Sequence, residues 1–83
     1  MKVLRIYFTE FNEDKYVELV NKLKTMGFNV IEHKSSVVPE FRYIELTDFT
    51  DDVEKVRKEV ESIIKDQEFI KLDLIDVAKP YRR

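Results

Sequence analysis

Val3-Leu4-Arg5-Ile6-Tyr7-Phe8-Thr9 is the stretch on which the reading of the fold turns. Side chains alternate across a strand, so Leu4, Ile6 and Phe8 share one face while Val3, Arg5, Tyr7 and Thr9 share the other. The first face is wholly apolar and suits a core. The second mixes an aromatic ring, a guanidinium and a hydroxyl, as a partner-facing surface does. A strand of this kind needs helices on one side only.

The sequence supplies two such helices. Asn12 can cap the first, Glu13 and Asp14 suit the positive end of its dipole, and Phe11 and Tyr16 occupy the positions of a hydrophobic staple. Tyr16, Leu19, Val20, Leu23 and Met26 then recur at helical spacing, and Gly27 stands where a left-handed residue ends a helix. The second apolar stripe is Val53, Val56, Val60, Ile63 and Ile64. Its cap is expected at Thr50 or at Asp51, the latter forming a capping box with Glu54, and Glu54–Lys58 and Glu61–Lys65 have the spacing of i,i+4 ion pairs.

Three further strands complete the pattern. Phe28–Lys34 is read with Phe28 and Val30 inward and Asn29, Ile31 and His33 outward. Phe41–Leu46 is read with Ile44 and Leu46 inward and Phe41, Tyr43 and Glu45 outward. Phe69–Val77 is read with Ile70, Leu72 and Leu74 inward and Phe69, Lys71, Asp73 and Ile75 outward. Ser35 to Glu40, with two serines and Pro39, breaks the ladder as a loop. The order is βαββαβ, and right-handed crossovers place both helices on one side of an antiparallel sheet of order 4-1-3-2. The pattern resembles the ferredoxin-like α+β two-layer sandwich from residue 1 to 78, followed by a short basic tail, 79–83. That resemblance carries no function, because unrelated activities share the fold.

Composition narrows the function classes. Eighty-three residues make one domain, and the absence of cysteine rules out disulfides, thiolate nucleophiles and sulfur metal sites. Fifteen basic against 17 acidic residues give a net charge of −2, without the basic surplus of a dedicated double-stranded DNA binder. No apolar run approaches the roughly 18 residues that span a bilayer, and no signal peptide is evident, so a cytoplasmic protein without membrane contact is expected. Charged residues reach 39%, chiefly Lys and Glu, which leans towards a thermophilic source.

The chemistry-bearing residues gather on the outward sheet face: Arg5, Tyr7, Phe41, Tyr43, Glu45, Lys71 and Asp73, with Thr9, Ile31, His33, Phe69 and Ile75 around them. An exposed apolar face usually marks an interaction surface. Arg5 and Lys71 against Glu45 and Asp73 balance its charge, which suits a two-fold contact with a second copy. A self-associating, non-enzymatic interaction or regulatory module, a homodimer through the open sheet face, is the leading expectation. The alternative is single-stranded nucleic acid, RNA or DNA, stacked on Tyr7, Phe41 and Tyr43, with Arg5, Lys71 and the tail residues Lys79, Arg82 and Arg83 on phosphates. The placement is similar to that in RNA-recognition domains, which use aromatics on the two central strands as stacking platforms. Phe41-Arg42-Tyr43-Ile44-Glu45-Leu46 departs from them in lacking the Lys/Arg-Gly-Phe/Tyr-Gly opening.

Signals for catalysis are weak. His33 is the lone histidine and falls on an edge strand. Glu10, Asn12 and Asp14 could offer oxygen ligands to a divalent ion, but helix capping already accounts for them. Small CRISPR-associated nucleases share the strand order and carry an acidic residue near the end of the first strand. Glu10 is the nearest counterpart here, and their characteristic aspartate is missing. Acylphosphatase-like and ACT-type sites rely on glycine at this turn, where Thr9 to Asn12 has none. No metal or cofactor is expected.

Overall fold

A computed structural model describes residues 1–34, 38 and 40–76. The elements are β1 (Lys2–Thr9), α1 (Glu13–Thr25), β2 (Asn29–Lys34), β3 (Phe41–Thr47), α2 (Val53–Ile63), a short 3₁₀ turn (Gln67–Phe69) and β4 (Lys71–Asp76). The four strands form one antiparallel sheet in the order β2-β3-β1-β4, with β3 and β1 central. This is the ferredoxin-like α+β sandwich. The expected residues 35–37 and 39 of the loop, the end of β4 at Val77 and the tail 79–83 lie outside the described residues.

Register follows the alternation of side chains. Leu4 pairs with Leu46 and Ile6 with Ile44, so the inward faces of β1 and β3 coincide. Leu4, Ile6, Phe8, Ile44 and Leu46 pack under Tyr16, Leu19, Val20 and Leu23 of α1 and Val56, Val60 and Ile63 of α2, all buried. Full burial of such side chains stabilises by about 1.5–3 kcal/mol each, so these two stripes hold the layers together.

Helix ends explain the connections. The Asn12 side chain accepts the Asp14 amide, capping α1 as its sequence implies. At the other end Gly27 adopts φ +96°, and Phe28 and Gly27 donate backbone bonds to Leu23 and Lys24. That pairing is a Schellman motif, which turns the chain directly into β2.

Four local expectations need correction. Phe11 is 81% exposed and forms no staple; Tyr16 instead stacks with Phe8 and lies beneath the Arg42 guanidinium. The α2 cap is Asp52, whose side chain accepts the Glu54 amide, rather than Thr50 or Asp51. Asp51 supports the same turn by accepting the Asp52 amide and pairing with Lys55, and these contacts hold its carboxyl below the usual range. Glu54 pairs with Arg57 one turn on, at i,i+3, rather than with Lys58. Phe69 lies in the 3₁₀ turn ahead of β4 and not in the strand itself.

Candidate functional site

Antiparallel pairing sorts the outward face into rungs, because directly opposed residues share a face. One rung crosses all four strands as His33, Tyr43, Tyr7 and Lys71. Tyr7 and Tyr43 stack with centroids 4.7 Å apart and planes 8° from parallel, and His33 stacks on the far side of Tyr43, also at 4.7 Å. The Lys71 ammonium extends the row, 5.9 Å from the Tyr7 centroid. Each ring thus occupies one strand position, and both faces of Tyr43 are taken.

The next rung reads Ile31, Glu45, Arg5 and Asp73. Its centre is closed rather than open. Glu45 has no exposed surface, and neither has Val3 one rung further along the same face. Tyr43 Oη donates to Glu45 Oε2 at 2.7 Å, His33 Nε2 lies 2.8 Å from Oε1, and Arg5 Nε stands 3.4 Å from Oε2. A buried carboxylate is tolerable only with such partners. Burial, then the bond to Glu45 and its charge, pushes the Tyr43 phenol far above its ordinary value.

The charge balance expected across a two-fold axis is therefore met inside one chain, where Glu45 answers Arg5. Alternation showed which face Glu45 occupies. It could not show that Arg5, His33 and Tyr43 would all converge on it.

Exposed surface concentrates instead at the end of the face where β1 finishes, β3 begins and the chain enters β4. Phe41 and Phe69 are more than half exposed, and a hollow of about 370 Å³ lies among Tyr7, Thr9, His33, Phe41, Tyr43 and Phe69. Arg42, on the opposite side of β3, meets the rim but is engaged by Glu13 at 3.0 Å and by the Glu10 carbonyl. The Thr9 hydroxyl donates to Asp66 at 2.9 Å, tying β1 to the segment before the 3₁₀ turn. Of the seven face residues read from sequence, Tyr7, Phe41 and Tyr43 meet at the hollow. Lys71 flanks it beyond Tyr7, while Arg5, Glu45 and Asp73 sit one rung away. Phe69 joins the site from the 3₁₀ turn.

The acidic cluster after β1 acts as backbone support. Glu10 Oε2 accepts the Asn12 amide at 3.0 Å, and Asn12 Oδ1 is the helix cap. Among the described residues no group of three or more His, Cys, Asp or Glu side chains is arranged to hold a metal ion, and no helix is long and apolar enough to cross a membrane.

Neither a family model nor a curated protein sequence matches the chain.

Proposed function

We propose that this protein is a small non-enzymatic interaction module that pairs with a second copy through the aromatic end of its open sheet face. The observation that carries the reading is the exposure of Phe41 and Phe69 beside an apolar hollow, with Ile31 exposed further along the same face, one rung beyond His33. Large apolar side chains grouped at the surface gain from being covered. A standard interface takes about 800 Å² from each partner, so the contact must reach beyond the hollow along the face.

The test is solution mass by light scattering over a concentration series, on wild type and on Phe41→Glu/Phe69→Glu. Both side chains project into solvent, so the pair of charges leaves the fold intact. Tyr43→Glu is unsuited, since it sets a second carboxylate against buried Glu45. The expected result is a wild-type mass of twice the 10.0 kDa chain that falls to the single-chain value in the variant. A single-chain mass at every concentration, or a dimer unaffected by the charges, would overturn the proposal.

Single-stranded nucleic acid is the second reading, favoured by Lys71 beside Tyr7 and by the basic residues of the tail. Against it stands the stacking of Tyr43 on both sides, because a base could use that ring only by displacing Tyr7 or His33. Oligonucleotide affinity would fall steeply with salt, whereas an apolar dimer would persist. A cytoplasmic, heat-tolerant protein fits the cysteine-free, Lys/Glu-rich composition.

A further inference from the structure

The two edges of the sheet are not alike. Among the described residues β2 pairs with β3 alone and β4 with β1 alone, so each edge presents a row of backbone N–H and C=O groups. β2 carries a charge on its helix side, a device that discourages a further strand. Glu32 stands opposite Ile44 there, held by the Tyr16 hydroxyl at 2.8 Å and the Lys24 ammonium at 3.8 Å. β4 has leucines in that place. Leu72 stands opposite Ile6 and Leu74 opposite Leu4, both fully buried, yet Leu74 itself is 42% exposed. A strand added at this edge would cover it.

The other side of β4 says which strand fits. Lys71 and Asp73 flank Leu72, and neither takes part in an ion pair among the described residues. Ile70, just ahead of them, already has extended backbone, with φ −79° and ψ 123°. Opposed residues of an antiparallel pair share a face, so two copies of β4 related by a two-fold axis through the sheet must centre on one residue. Centred on Lys71 or on Asp73, the pair sets like charges directly against each other. Centred on Leu74, it sets Leu72 against Asp76. Centred on Leu72, it sets Lys71 against Asp73 twice, Leu72 against itself and Ile70 against Leu74. Only this register matches every pair.

We propose that β4 pairs edge to edge with β4 of a second copy, antiparallel and in register on Leu72, joining the two sheets into one. Both aromatic faces then point the same way and stay uncovered, so this contact is separate from the face-to-face one and does not rest on it. The residues from Ile70 to Leu74 are far fewer than the roughly 20–30 a side of a standard interface, so the edge pairs more weakly than the face.

The experiment is a residue-resolved NMR dilution series, up to about 1 mM, on Phe41→Glu/Phe69→Glu, in which the face contact is blocked. Isotope-filtered spectra of mixed labelled and unlabelled chains read the register. The expected result is concentration-dependent shifts centred on Leu72, with Asn29–Lys34 of β2 unmoved, and contacts between Ile70 of one copy and Leu74 of the other. Lys71→Asp or Asp73→Lys, added singly, opposes like charges twice and weakens association on the order of tenfold. The two together restore it at unchanged net charge, which a merely structural role for either residue would not do. The remaining amide shifts report that each variant stays folded. No concentration dependence, shifts centred on β2, or failure of the combined swap to restore pairing would overturn the proposal. Loss of the edge contact leaves the dilute dimer standing, and loss of the face contact leaves these shifts in place.

Discussion

Tyr43→Phe isolates the bond on which the closed half of the face depends. It keeps the ring, and so the two 4.7 Å stacking contacts with Tyr7 and His33, and deletes only the hydroxyl that donates to Glu45 at 2.7 Å. A hydrogen bond to a charged group contributes about 1.5–3 kcal/mol, and this one falls on a carboxylate with no exposed surface. A domain of this size has about 4–12 kcal/mol in total. With an m-value of about 1 kcal/mol per molar urea, the unfolding midpoint should fall by about 1.5–3 M. Urea unfolding of Tyr43→Phe, Glu45→Gln and the double variant closes a cycle, and the coupling should exceed about 0.5 kcal/mol, as for contacting residues. A midpoint unchanged by Tyr43→Phe, or strictly additive variants, would refute the reasoning.

The other expectations follow from single groups. Tyr16 is raised like Tyr43, by burial first and then by its bond to Glu32, so the folded state favours both phenols neutral. Their contribution is complete below the ordinary tyrosine value of about 10 and is lost as pH rises above it, so alkaline unfolding should coincide with late tyrosinate absorbance. Early, unfolding-independent ionisation of both would contradict this. Asn12→Ala and Asp52→Ala should each cost about 1 kcal/mol in chemical denaturation, and Thr50→Ala should leave the midpoint in place. Gly27→Ala meets no atom within 4 Å, so its cost of about 1 kcal/mol should come from φ +96° alone, and Gly27→Asn should recover part of it.

Periodicity carried the architecture because each of its signals is local. Leu4, Ile6 and Phe8 alternate, the stripes of α1 and α2 repeat at three and four residues, and Asn12 and Gly27 mark helix ends by their own backbone chemistry. Where several residues could do one job, the sequence did not choose: Thr50 and Asp51 are both able caps, yet it is the neighbouring Asp52 whose side chain accepts the Glu54 amide. Phe69 has strand propensity but follows Gln67, whose carbonyl accepts the Ile70 amide and winds the chain into the 3₁₀ turn. The face itself was legible and its interior was not. Arg5, His33 and Tyr43 converge on Glu45 from three strands, and the hollow gathers Thr9, Phe41 and Phe69 from β1, β3 and the 3₁₀ turn. Such coincidences become visible only once the register is known.

The claim that the aromatic end of the sheet is the working surface is tested most directly by isotope-filtered NMR on a mixture of labelled and unlabelled chains. Contacts between copies should run from the rings of Phe41 and Phe69, joined by Ile31. Intermolecular contacts confined to the charged outer faces of α1 and α2, with both phenylalanine rings silent, would contradict the account.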